Sequence, residues 1–242
     1  MNVMNEYTCD KIELLVSFRV FGIGEKTLPI LNEIDSWGYQ GVKTIIFGKE
    51  EISPSEEDEM VIFINPDNYD ISLMTQSFFQ ADILTLVIAT PGFTETINSY
   101  DAVCITDHSN INVTVFGILY PLFHRGYISF DYYDILQLMK NQLKYKVLIE
   151  KSQTGDKKLY SLMNHFKEAE KQCGILENIA IIFSFNQKTY QSITTDDLCI
   201  VQETTRTLPE TINIKWSIVI DEKIKENQIQ MITIFSGKNL KL

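Results

Sequence analysis

The chain has no paired cysteines, no histidine cluster, no membrane-length apolar run and little positive charge in its first half. Its four cysteines, Cys9, Cys104, Cys173 and Cys199, are spread along 242 residues without a CxxC. The three histidines, His108, His124 and His165, are as scattered. Nothing has metal-ligand spacing, so no metal is predicted, and reduced, mostly buried thiols are expected. No apolar stretch approaches the ~18–20 residues of a membrane span. The opening MNVMNEYTCDKIELL carries acids where a secretory leader carries bases, which makes a cytoplasmic protein the expectation. Residues 1–107 hold 18 Asp/Glu against 5 Lys/Arg, a net −13, whereas residues 108–242 hold 14 against 16, a net +2. Nucleic acid and anionic membrane both need clustered Lys/Arg, so neither partner is predicted.

What is present is a regular alternation of strand and helix patterns. Ile12–Gly22 reads as a strand ending in glycine, Leu28–Trp37 has helical spacing with Gly38 as a stop, and Val42–Phe47 is a second strand. These form a β-α-β unit and imply a parallel pair. Glu50–Glu59, with six acids, is a solvated loop. Met60–Ile64, Ile83–Ala89 and Ala102–Thr106 read as strands, with Asp70–Gln80 a helix between the first two. Asn112–Phe123 begins a long central helix whose apolar run reaches Arg125-Gly126. After a short loop, helices are expected at Tyr132–Gln142, Asp156–Gln172 and Thr195–Leu208, and strands at Tyr145–Glu150 and Ile179–Phe185. Ile212–Asp221 and Gln228–Ser236, joined by a polar turn, read as a hairpin. The fold class is α/β: a parallel-sheet unit over 1–110, a central segment over 111–142, and a second α/β unit with a mixed sheet over 143–242.

Such units hold ligands at the carboxyl ends of their strands, on glycine-rich turns that lead into helix N-termini. The first turn, Gly22-Ile23-Gly24-Glu25-Lys26-Thr27, has GxG but Thr27 where a dinucleotide fingerprint has its third glycine. Glu25, not glycine, precedes Lys26-Thr27, so it is no P-loop either. The turn after the second strand is Gly48-Lys49-Glu50-Glu51, and the one after Ile83–Ala89 contains Pro91-Gly92 and Glu95. Each offers a carboxylate where a phosphate needs free N–H groups and positive potential. No Ser–His–Asp or Cys–His set is visible; catalysis within the chain and a bound cofactor are not expected.

The remaining feature is the stretch Gly126 to Asp134, GYISFDYYD, where two carboxylates three residues apart open a helix. Asp131 suits an N-cap and Asp134 the N3 position of a capping box, worth ~1 kcal/mol to the helix. The same loop is the expected contact point with another molecule, and the sequence leaves both roles open.

These residues carry a resemblance. Gly126-Tyr127-Ile128-Ser129-Phe130-Asp131-Tyr132-Tyr133-Asp134-Ile135 resembles the GLINxDFADV synergy loop of the tubulin/FtsZ superfamily, and of bacterial FtsZ in particular. Asn213–Glu222 followed by Ile229–Gly237 is similar to that family's NIIFGAVIDE…RVTVIATG hairpin, and the order of elements between 126 and 237 matches. The first half is similar in outline: Phe18–Gly24 for the first strand and GxGG loop, Gly38–Val42 for GLQGV, and Ala81–Ala89 for the strand entering the tubulin signature. The signature GGGTGTG is absent, with Pro91–Thr96 in its place. Tyr100–Ile105 resembles a later family strand, so a helix and a strand are missing between.

The resemblance implies a shortened FtsZ-like protein whose nucleotide loops, marked by Gly22, Gly24 and Gly92, are degenerate. In the family, a subunit's synergy loop inserts carboxylates that orient water at the GTP of the next subunit. The donor side, Gly126, Ser129, Asp131 and Asp134, is kept, with Ser129 replacing the family's Asn. The expectation is therefore a cytoskeletal interaction module without GTPase activity, whose partner is FtsZ, another tubulin-like protein or itself. The alternatives are a nucleotide switch rebuilt around Lys26, Thr27 and Lys49, and nucleotide-independent self-assembly.

Overall fold

In the computed structural model, residues 17–47, 52–94, 98–124, 126–141, 143–152 and 158–241 are described. Cys9, Lys49, the Gly48–Glu51 turn and the start of the first expected strand lie outside them. The first part of the chain supplies β1 (Ser17–Gly22), α1 (Leu28–Ser36), β2 (Val42–Ile46), β3 (Asp58–Asn65), α2 (Ser72–Gln80), β4 (Leu84–Ala89) and β5 (Ala102–Ile105). β4 is buried along its whole length and β3 over its last six residues. That two-sided apolarity is what a parallel strand with helices on both faces requires. The order β2-β1-β3-β4-β5 is parallel throughout.

The second part supplies α3 (Ile111–Phe123), β6 (Gly126–Ile128), α4 (Tyr132–Met139), β7 (Leu143–Lys151), α5 (Lys158–Gln172), β8 (Asn178–Phe185), α6 (Gln187–Gln191), α7 (Thr195–Thr205), β9 (Asn213–Ile220) and β10 (Ile229–Gly237). Its strands run β7-β10-β8-β9-β6 with mixed directions. The expected parallel and mixed sheets are both present, and they are one sheet. β5 pairs with β7 through Ala102↔Leu143 and Val103↔Lys144, giving ten strands in a row.

One apolar core underlies most of this sheet. Phe18 and Val20 of β1, Ile118 and Leu119 of α3, Ile135 and Leu138 of α4, and Val219 of β9 all belong to it. On the other face, α2 covers Phe21, Phe63 and Val87, while α5 and α7 cover Ile181, Phe183, Ile218 and Phe235. Each fully buried Leu, Ile or Phe contributes about 1.5–3 kcal/mol of apolar burial. Of the thiols described, Cys104 and Cys173 are buried and Cys199 is exposed. Burial pushes the Cys104 thiol up to about 12.

Two expectations are corrected. The expected hairpin is not one: β8 lies between β9 and β10, antiparallel to β10 and parallel to β9. β10 is buried at all nine positions, which suits the interior of a sheet and not a hairpin arm. The central helix stops at Phe123 after 13 residues, and His124 is already extended. Gly126–Ile128 pairs instead as β6 along the end of β9. Only glycine fits at 126, because a Cβ there would stand 1.9 Å from the Ile218 carbonyl oxygen.

Candidate functional site

α4 is an eight-residue helix whose apolar positions, Ile135, Leu138 and Met139, all face the core. Its start is fixed by the two aspartates. The Asp134 N–H donates to Asp131 Oδ1 at 3.2 Å, and the Asp131 N–H donates to Asp134 Oδ2 at 3.1 Å. This reciprocal pair is a complete capping box, built with Asp in place of the more usual Glu at N3. The other Asp134 oxygen, Oδ1, lies 3.1 Å from Lys215 Nζ of β9. Both Asp134 oxygens are thus engaged within the chain, whereas Asp131 and Ser129 are exposed. Phe130, 5% exposed, anchors the loop between them. Ser217 Oγ donates to the Ile128 carbonyl at 2.7 Å and holds the preceding strand.

Aromatic rings flank the carboxylates. Tyr133 is 70% exposed beside Asp131, and Tyr127, also exposed, stacks on Tyr190 at 4.5 Å between centroids. The Tyr132 hydroxyl donates to the Glu59 carbonyl near the amino end of β3, at 2.8 Å. Burial, reinforced by the charges of Glu59, Asp101 and Asp82, holds that phenol well above its ordinary value. The loop therefore sits toward the amino ends of the parallel strands, opposite the turns that bind phosphate in α/β folds.

At the carboxyl ends of β1, β3 and β4 the three glycines are where the sequence places them, and each has a local reason. Gly24 (φ 85°) and Gly92 (φ 101°) occupy left-handed backbone that their tight turns require. At Gly22 a Cβ would meet Thr27 Oγ1 at 2.4 Å. Side chains of the turn after β3 stand close over Gly24. A Cβ on Gly24 would lie 3.2 Å from the Tyr69 ring and 3.4 Å from Asp67 Oδ2. Lys26 pairs with Asp67, whose hydrogen bond and charge hold the ammonium above its ordinary value. Asn68 Nδ2 donates to the Pro91 carbonyl at 3.1 Å, and Thr90 Oγ1 to the Pro66 carbonyl at 2.8 Å. Thr27, buried, spends its hydroxyl on the Gly24 carbonyl at 2.6 Å. Side chains thus tie the β1 turn to the β3 turn and the β3 turn to the β4 turn, across the crevice where a ligand of such a sheet sits.

A cavity of about 450 Å³ lies beside these ties, walled by Tyr69, Asp70, Ser72, Thr75, Phe93 and Tyr100. Hydrogen bonds from Ser72 hold the Asp70 carboxyl below its usual range, which puts one negative charge on this wall. Among the described residues no group of three or more His, Cys, Asp or Glu comes together as a metal site, and no helix is long and apolar enough to cross a membrane. Sequence reading missed the Lys215–Asp134 pair and every tie among the three turns. None has a local signal, since the partners are 23 to 81 residues apart and meet only through the sheet.

No protein-family profile and no curated protein matches the sequence. Solved structures do match in fold. An empty FtsZ dimer from M. jannaschii superposes with a TM-score of 0.65 at 13% identity, covering 92% of this chain and 88% of that one. A point mutant of FtsZ from the same organism gives 0.67 at 11% identity, covering 93% and 95%. TubZ of Bacillus thuringiensis serovar israelensis, in GDP-form protofilaments, gives 0.62 at 11% identity, covering 94% and 86%. The chain has the fold of the tubulin/FtsZ superfamily, in a mixed α/β form. The resemblance carried by Gly126–Ile135 and Asn213–Gly237 agrees with that fold.

Proposed function

We propose that this chain is an FtsZ-like interaction module without GTPase activity. It docks its Asp131 loop face on the nucleotide face of an FtsZ-type or other tubulin-like subunit and caps or modulates filaments. The observation that supports this reading is the unequal state of the two sides of the sheet. At the carboxyl ends the turns are knotted together by Lys26–Asp67, Asn68–Pro91 and Thr90–Pro66, and Tyr69 stands over Gly24. At the amino ends the capped loop is intact, with Asp131 exposed and aromatic side chains beside it. The neighbours in fold include an FtsZ dimer and TubZ protofilaments, so self-association is a use to which this fold is put in those proteins.

Charge favours a different protein over a second copy. Glu25, Asp67 and Asp70 flank the carboxyl-end turns, so a head-to-tail stack would bring them against Asp131 of the next copy. Like charges at a contact slow association and cost affinity. The test is sedimentation of an FtsZ with GTP, alone, with this protein, and with its Asp131→Ala/Asp134→Ala variant. The expected result is a change in polymer mass or GTPase rate that the variant loses; no change in any mixture would sink the proposal. Heat-released supernatant of the purified protein is expected to contain no guanine nucleotide. A stoichiometric amount would favour a switch rebuilt around Lys26, Thr27 and Lys49.

A further inference from the structure

Two acids and a lysine at the far end of α4 are arranged in an unexpected order. Asp101, just before β5, has only 1% of its side chain exposed, while Asp82, just before β4, is 91% exposed. A single ammonium, Lys140 at the end of α4, serves both. It should favour the buried carboxylate, whose charge costs most. Instead Lys140 Nζ donates to the exposed Asp82 Oδ1 at 2.7 Å and stays 3.7 Å from Asp101 Oδ1. Asp101 Oδ2 accepts the Thr85 N–H at 2.9 Å and the Asn141 N–H also acts on this carboxyl, but the buried Oδ1 makes no hydrogen bond of normal geometry. Burial raises the Asp101 carboxyl above its ordinary range, and the hydrogen bond from Lys140 lowers that of Asp82. The group lines an open cavity of about 450 Å³ whose other walls are Phe79, Gln80 and Asn141.

We propose that this cavity is a receptor for an arginine side chain of the docking protein, with Asp82 as its contact and Lys140 handed over to Asp101 on binding. Two carboxylates and one ammonium leave a charge deficit of one, which an incoming cation balances. Its arrival at Asp82 releases Lys140, which needs to move only about 1 Å to reach hydrogen-bonding distance of Asp101 Oδ1. Binding thereby brings a charged donor into hydrogen-bonding distance of a buried oxygen that in the free protein has it only at 3.7 Å. A guanidinium fits better than an ammonium, because its fork matches the Asp82 carboxylate while its plane lies against the half-buried Phe79 ring. The eight residues of α4 span about 12 Å, so Asp131 and this cavity occupy the two ends of one surface. The inference rests on the docking reading above and adds the chemistry of the partner: an arginine about one short helix away from the group that meets Asp131.

The test is an NMR titration of the full chain with N-acetyl-arginine amide, using the uncharged N-acetyl-citrulline amide as control. Saturable shifts are expected at the Asp82 and Asn141 amides. The Thr85 amide and the Asp101 side-chain carboxyl should respond over the same concentration range, as Lys140 changes partner. Asp82→Asn, a change at an exposed side chain that leaves the fold intact, should weaken the arginine derivative at least tenfold. Absence of saturation, equal binding of the citrulline derivative, or unchanged binding to the variant would each overturn the site. Shifts at Asp82 with Thr85 and Asp101 unmoved would overturn the hand-over. Because the probe is a blocked amino acid, the outcome does not depend on whether FtsZ filaments respond to the protein.

Discussion

The carboxyl and amino ends of the parallel strands solve opposite problems. At the carboxyl ends, Asp67, Asn68 and Thr90 reach across the turns and spend their polar groups on one another's backbone and on Lys26. At the amino ends, Asp131 and Ser129 stay exposed and Asp101 keeps a buried oxygen without a hydrogen bond of normal geometry. A side that has satisfied itself has little left to offer a ligand. A side with open acceptors on a rigid, capped helix does. Presence of a motif and availability of its side chains are therefore separate questions: Gly22, Gly24 and Gly92 serve their own tight turns, while Asp131 is exposed on its loop.

The contrast can be broken by mutation. The largest effect is expected from Gly126→Ala, because the new Cβ would meet a backbone oxygen at 1.9 Å and force β6 off β9. A loss of about 3 kcal/mol, read from urea unfolding, is the expectation for such a clash with unyielding backbone. Next come two matched caps. Asp131→Ala and Thr194→Ala each remove the N-cap of a complete capping box, at α4 and α7 respectively, and each should cost about 1 kcal/mol. Equal stability loss with an effect on FtsZ sedimentation from Asp131→Ala alone separates an interface from a mere cap. Identical behaviour of the two variants would reduce Asp131 to its helix. The smallest effect is expected at the carboxyl ends. Asp67→Asn removes the exposed Lys26 pair and should leave the urea midpoint unchanged, since exposed ion pairs contribute little. It should also fail to retain nucleotide, because Glu25 and Tyr69 remain; retention would mean that one ion pair had been the whole barrier.

Much of this was legible from local patterns. Short apolar runs located β3, β4 and β8, and the expected helix Thr195–Leu208 begins where α7 does. The aspartates of α4 could be read as a capping box because capping is decided within four residues. The order β10-β8-β9 could not be read, since adjacency in a sheet depends on which strand is apolar on both faces and on crossovers of right-handed sense. β6 was missed because three residues give no periodicity, and its evidence is a steric one at Gly126. Lys140 falls inside the helix expected over Tyr132–Gln142; its two carboxylates come from residues 58 and 39 positions earlier, brought together only when β4, β5 and β7 line up.

The joint between β5 and β7 rests on two residue pairs, yet the core beneath α1, α3 and α4 runs past it without a gap. Turning one half against the other would shear that core as well as the ladder. The molecule therefore has no swivel at its midpoint, and unfolding should proceed as one transition seen alike by probes in either half. To anything that grips α4 it presents a helix seated through Ile135, Leu138 and Met139 in the core that both halves share.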